Sequence, residues 1–363
     1  MNIFKDEYRG KKVLITGHTG FKGAWISIWL KSLGAEVIGY SLEAPTEPSL
    51  FKICKLDDKI TSIVGDVRDE KKLKDVFQKY KPEIVFHLAA QPLVRLSYNE
   101  PRMTYETNVM GTVNVLEAAR NVDSVKAVII ITTDKCYENK EWVYGYRETD
   151  PMGGYDPYSS SKGCVELVTA SYINSFYKEK GIALASVRAG NVIGGGDWAE
   201  DRVIPDFARS VSEKKSIVIR NPLAKRPWQH VLEPLSGYLW LGALMLKDKE
   251  KYSSSWNFGP RDTDSLNVDE ILNLAIKSWG KGNIIIDKNE QPHEANLLKL
   301  DISKVKAYLK WYPVYEVNKA VDKTIQWYKS YYDNKSENMY AYTLKQIQEY
   351  EIEARIQNLI WSE

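Results

Sequence analysis

The run Lys12-Val13-Leu14-Ile15-Thr16-Gly17-His18-Thr19-Gly20-Phe21-Lys22-Gly23 decides the fold. Its first five residues form a short apolar strand, and a helix is expected over 23–33, stopped by Gly34. Between them, Gly17 permits a tight turn, Gly20 lets backbone approach a pyrophosphate, and Gly23 allows a helix to pack closely on a sheet. The helix start then offers free N–H groups and a positive dipole end to an anion. The spacing G-x-x-G-x-x-G departs from the commoner G-x-G-x-x-G. The strand before it and the helix after it give the pattern its meaning, with Thr19 and Phe21 as further cofactor contacts.

Outward from this turn, strands are expected at 36–40, 60–64, 84–88, 127–132 and 183–188, and helices at 71–80, 103–122 and 157–178. Near-continuous apolar strands alternating with helices imply an α/β fold, a doubly wound parallel sheet of Rossmann type. Past Gly194-Gly195-Gly196-Asp197 the alternation breaks, which implies a smaller α/β substrate-binding lobe. The expected division is a dinucleotide-binding domain over 1–190 with 232–258, a nucleotide-sugar lobe over 191–231 with 259–330, and a helical tail over 331–363.

The chain has 363 residues, 44% hydrophobic and 27% charged, with a net charge of +2. That balance carries no nucleic-acid footprint. Cys54, Cys136 and Cys164 are too few and scattered for a disulfide framework or a metal site, and are read as reduced thiols of a cytoplasmic protein. Charged residues interrupt the N-terminus before any apolar run, so neither a signal peptide nor a membrane span is expected.

Asp66 and Val67 follow the third strand, where an adenine would lie, although a helix N-cap is an equal reading of the aspartate. Leu88, Ala89 and Ala90 end the fourth strand with side chains small enough for a nicotinamide ribose to lie close, and His87 before them reads as a packed core histidine. Strand two ends in Tyr40-Ser41, without the usual acidic mark of NAD, and no arginine between 40 and 50 could hold a 2′-phosphate. NAD is the expected cofactor.

Tyr158 and Lys162 are four apart and share one helical face. A phenol of pKa about 10 must drop by roughly 3 units, about 4 kcal/mol, to serve as a base near neutrality. A cation about 4 Å away at an effective dielectric near 20 supplies a term of that order. Lys162 and an oxidised nicotinamide are the expected cations. Thr133, Asp134 and Lys135 end the fifth strand, at the carboxyl edge where such sheets bind ligands.

These motifs, with H-L-A-A at 87–90, T-N-V-x-G-T at 107–112, R-A-G-N at 188–191 and R-P-W-Q-H-V at 226–231, resemble the extended short-chain dehydrogenases/reductases over residues 10–320, in particular the nucleotide-sugar 4,6-dehydratases. The details at 91–95, 132–137 and 220–230 most resemble the branch that acts on CDP-glucose and feeds deoxysugar and surface-polysaccharide synthesis. The resemblance implies a recycled NAD, Tyr158 as base at the sugar 4-hydroxyl, Thr133 assisting it, and Asp134 as the acid that releases water from C6. It places Gln91, Arg95, Asn191, Arg202, Arg220, Arg226 and His230 around the nucleotide sugar; paired arginines suit a diphosphate. One departure stands out: related dehydratases carry glutamate as the C5 base where this chain has Lys135. Lys135 is then either a neutral base or an electrostatic partner of the enolate oxygen. A 4-epimerase or reductase on another nucleotide sugar, or a non-catalytic nucleotide-binding protein, are the other readings. A homodimer or homotetramer is implied, joined through the helices at 103–122 and 157–178.

Overall fold

The computed structural model describes residues 3–287, 297–334 and 336–363. Seven parallel strands make the central sheet among them. In chain order they are β1 (Lys12–Thr16), β2 (Glu36–Ser41), β3 (Thr61–Val64), β4 (Ile84–His87), β5 (Ala127–Ile131), β6 (Ala183–Ala189) and β7 (Ser255–Phe258). Their spatial order is β7-β6-β5-β4-β1-β2-β3. The register runs Val13↔Val37 on one side of β1 and Val13↔Ile84 on the other. The order therefore reverses at β1, and the crevice between the ends of β1 and β4 is the switch point at which such sheets bind ligands. Every residue of β4 and β5 is buried, as helices on both faces require.

On one face lie α1 (Phe21–Ser32) and α5 (Leu232–Lys247). On the other lie α2 (Glu70–Tyr80), α3 (Gly111–Arg120) and α4 (Pro157–Tyr172). Both long helices expected from the sequence contain a wide turn: Glu106–Met110 leads into α3, and Ile173–Tyr177 extends α4. α1 is buried without a break from Gly23 to Leu30, because a further helix, α8 (Met339–Ile356), covers its outer side. Trp29 Nε1 donates to Glu351 at 2.8 Å, and Phe4 stacks on Trp361. The C-terminal residues thus join the main core. The expected boundary at 330 falls inside α7 (Val317–Asp333).

The second lobe grows from the carboxyl ends of the strands. It holds α6 (Val268–Trp279) and short paired strands: Val192–Ile193 with Gln229–His230, Lys225–Pro227 with Ser265–Asn267, and Ile217–Ile219 with Ile284–Ile286. The return over 232–258 brings α5 and β7 to the sheet, β7 pairing with β6. Residues 288–296 of the expected lobe lie outside the described residues.

Candidate active site

The glycine turn has the geometry its spacing demands. Gly17 has φ of +76°, and a Cβ there would stand 2.7 Å from the backbone nitrogen of Ala89. The loops after β1 and β4 therefore touch backbone to backbone. A Cβ on Gly23 would lie 2.0 Å from the Gly17 carbonyl oxygen, so the first turn of α1 can seat only on glycine. Gly20 is the N-cap and carries no side-chain cap, which leaves the first N–H groups of α1 for an anion. Gly17, Gly20, Leu88, Ala89 and Ala90 are half-buried and line the same crevice. Phe21 packs towards Gly194, and Thr19 hydrogen-bonds Ser41 at 2.8 Å, tying the turn to the tip of β2. This lining of small residues beside an uncapped helix start fits a dinucleotide.

His87 is buried between the hydroxyls of Thr16 (2.6 Å) and Thr112 (3.0 Å), and burial pushes it down to about 3, so it is a neutral core histidine. Asp66 is not a helix N-cap: Asp69 caps α2, while Asp66 accepts from the backbone and guanidinium of Arg68. The Val67 side chain is buried and packs against Gly111 on α3.

Tyr158 stands in the first turn of α4. Pro157 occupies the first helical position, and Asp156 caps it by accepting from the Ser159 N–H (2.9 Å) and hydroxyl (2.6 Å). Tyr158, Lys162 and Glu166 follow at intervals of four on one face. Asn108 fixes this face to the loop after β4, donating to Ser161 Oγ (2.8 Å) and exchanging hydrogen bonds with the Gln91 backbone. Glu166 accepts from Thr132, Ser186 (2.6 Å) and Arg188 (2.7 Å), so a buried ion pair locks α4 to the ends of β5 and β6. Arg188 also donates to Tyr137, whose hydroxyl reaches Asn257 of β7.

Against this frame the Thr133 hydroxyl lies close enough to the Tyr158 phenol to lower its pKa, and it donates to Asp134 Oδ1 at 2.9 Å. Asp134 is buried, and burial raises its carboxyl pKa against the pull of Lys135, Thr133, Arg226 and Lys22. A carboxyl held towards its protonated form is what an acid needs. Lys135 is half-buried beside it.

The phenol and the ammonium of α4 lie in different surroundings. Burial pushes Tyr158 up to about 12; the Thr133 hydroxyl and the charge of Arg202 draw it down, whereas Asp134 and Asp156 push it up. Lys162 stands one turn further along α4. Its ammonium donates to the Ile131 carbonyl at 3.1 Å, and burial lowers it to about 8. Helical spacing puts both residues on one face, but the backbone of β5 takes the ammonium.

Lys22, in the glycine turn, is a site residue that the sequence reading passed over. Its side chain keeps some access to the cleft, yet the surrounding protein lowers it to about 8, with Arg202, Asp134, Lys162 and Asp197 close enough to act on it. Its signal was an ionisable residue between two required glycines.

The nucleotide-sugar set divides. Arg202 pairs with Asp197 at 2.6 Å and its charge reaches Tyr158. Arg95 and Arg220 converge on Asp201, at 3.6 and 2.8 Å. Arg226 acts on Asp134, and Asn191 is half-buried, its carbonyl accepting from the Gln229 N–H at 3.1 Å. Two members are engaged by the protein itself. The Gln91 amide is engaged within its own loop, accepting from the Leu93 N–H and donating to the Leu93 carbonyl and Thr104. His230 is fully buried, edge-on to Trp25 and Tyr315, and burial lowers it to about 3. The short strand Gln229–His230 points it into the core. Among the described residues no cluster of potential metal ligands occurs.

The comparisons agree with this architecture. Residues 14–324 match the family model described as GDP-mannose 4,6 dehydratase. The chain is 51% identical over 354 residues to the CDP-glucose 4,6-dehydratase of Salmonella typhimurium, covering 96% of this chain and 98% of that protein. It is 26% identical to the CDP-paratose 2-epimerase of Salmonella typhi, over 88% of this chain and 99% of the relative. The solved UDP-glucose 4-epimerase of Thermus thermophilus, in complex with NAD, superposes with a TM-score of 0.73 at 23% identity, covering 88% of this chain and 99% of that one. With a glycine cradle, an acid beside a phenol and a family match that spans most of its length, the chain belongs to the GDP-mannose 4,6 dehydratase family.

Proposed function

We propose that this protein is a nucleotide-sugar 4,6-dehydratase that converts CDP-D-glucose to CDP-4-dehydro-6-deoxy-D-glucose, with NAD as its recycled cofactor, for deoxysugar synthesis. The observation that carries the reading is the buried Asp134, held towards its protonated form and accepting a hydrogen bond from Thr133, whose hydroxyl acts on the Tyr158 phenol. An epimerase needs no acid for a C6 hydroxyl; a dehydratase does. The choice of CDP follows the 51% identity with the Salmonella typhimurium dehydratase.

Gly17, Gly20 and the first turn of α1 would hold the dinucleotide's diphosphate, with Leu88, Ala89 and Ala90 beside the nicotinamide half. When bound, NAD supplies a reversible two-electron exchange with the sugar at C4 and then at C6. Tyr158 takes the proton from the 4-hydroxyl, assisted by Thr133. Asp134 gives a proton to the departing C6 hydroxyl. Lys135 is the candidate base at C5 or the cation that steadies the enolate oxygen, and its position beside Asp134 supports the second role. Arg202, Arg95, Arg220 and Arg226 form the grip on the nucleotide diphosphate, with Asn191 nearby.

A homodimer fits the exposed apolar residues on the two long helices: Tyr105, Met110, Leu167 and Phe176. Among the described residues no helix is long and apolar enough to cross a membrane, and the three cysteines are free thiols, which supports a cytoplasmic setting.

The test is isotopic. CDP-glucose carrying deuterium at C4 should yield product with that deuterium at C6; product without it, or no keto sugar from CDP-glucose, would overturn the reading.

A further inference from the structure

Two aspartates lie four residues apart in the loop between the strand Val192–Ile193 and the helix Val203–Ser212, and they are built differently. Asp197 is buried. It holds Arg202 with one carboxylate oxygen and the Ala199 N–H with the other, and its carbonyl accepts from Tyr328. It is a fixed support. Asp201 is 42% exposed and has φ of +60°, a left-handed conformation. Its ion-pair partners among the described residues are Arg220, at 2.8 Å, and Arg95, at 3.6 Å.

Those arginines come from distant parts of the chain. Arg95 is in the short helix Val94–Asn99 after β4, on the sheet side of the cleft, and Arg220 follows the strand Ile217–Ile219 of the second lobe. One carboxylate therefore bridges the two walls of the cleft. The neighbouring Arg202 projects its charge onto Tyr158, which puts the cluster beside the reacting end. We propose that Asp201 is a built-in stand-in for the substrate's diphosphate: it keeps Arg95 and Arg220 assembled in the ligand-free protein and is displaced when a nucleoside diphosphate arrives. The inference rests on the reading of this cleft as a nucleotide-sugar site.

The energetics favour exchange. Half-exposed ion pairs contribute only about 0–1 kcal/mol each, so the carboxylate is weakly held. A diphosphate offers more negative charge and paired oxygens to the planar guanidinium forks, and it cannot share them with a carboxylate in contact without like-charge repulsion. Asp201 is then a competitor whose loss helps the ligand.

Calorimetric titration of the NAD-loaded protein with CDP and with cytidine tests this. Asp201→Asn removes the charge and suits a positive φ, and Asp201→Gly does the same without an amide. Both should bind CDP roughly three- to tenfold more tightly than the parent, the scale of one or two exposed pairs, with cytidine affinity unchanged. Equal or weaker CDP binding by both variants, or an equal gain for cytidine, would overturn the stand-in and leave the nucleotide-sugar reading intact. A parent protein that binds no CDP would overturn both.

Discussion

The ammonium of Lys162 donates to the carbonyl of Ile131 at 3.1 Å. The cation in the second turn of α4 is thus anchored to the end of β5, just before Thr132, Thr133 and Asp134.

Tyr158 is held up at about 12 without ligand. Reaching neutrality takes about 5 units, close to 7 kcal/mol. The absorbance difference near 295 nm between the parent and Tyr158→Phe should show no ionisation of this phenol below pH 10 in the ligand-free protein, and NAD should move it lower. Turnover of Tyr158→Phe should fall by about 10²–10⁴-fold, the usual worth of one acid–base group, with dinucleotide binding retained.

Lys162 is buried, and its pKa is lowered from 10.5 to about 8. Below pH 8 both folded and unfolded chains carry the proton, so the full cost of burying the cation is present there. It fades as pH rises from 8 to 10.5, because the folded chain sheds its proton first. Lys162→Met should therefore stabilise the protein by up to about 3 kcal/mol at pH 7, and by less at pH 9.5. Urea melts at the two pH values measure the difference; a variant less stable than the parent at pH 7 would contradict it.

Glu166 and Arg188 are each 3% exposed and pair at 2.7 Å. Glu166→Gln leaves the guanidinium buried without its counter-charge, and chemical denaturation should show a loss of about 3–5 kcal/mol.

Gly23 has no room for a methyl group, since its Cβ would meet the Gly17 carbonyl at 2.0 Å. Gly23→Ala should cost about 3 kcal/mol or more and weaken NAD binding, because backbone must shift within the cradle itself. Nicotinamide binding followed by tryptophan quenching reports it.

Leu167 on α4 is 62% exposed and Met110 51%. If these helices meet their copies, Leu167→Glu should convert the dimer to monomer in equilibrium sedimentation, with the melting profile of the single chain retained.

Much of the site was legible because it depends on local rules. Gly17 and Gly23 are required by a turn whose atoms lie within seven residues of one another. Tyr158 and Lys162 share a face because the helix repeats every 3.6 residues. Asn108, Glu166 and Lys22 escaped notice because their partners are far away in sequence: Gln91 and Ser161 for Asn108, Ser186 and Arg188 for Glu166, Asp134 and Arg202 for Lys22. The surroundings of Gln91 and His230 were illegible for a related reason: one is engaged by Leu93 and Thr104, the other is turned into the core against Trp25.

By itself the sequence determined the parallel sheet, the dinucleotide cradle and the row of reactive side chains, since apolar strand runs, glycine spacing and helical periodicity are written in consecutive residues. Only the tertiary structure decided where each charge goes: Lys162 to a strand carbonyl, Glu166 to Arg188, Asp201 to two arginines from opposite walls. Coulomb energy depends on distance and burial, and both are set by the packing of segments far apart along the chain.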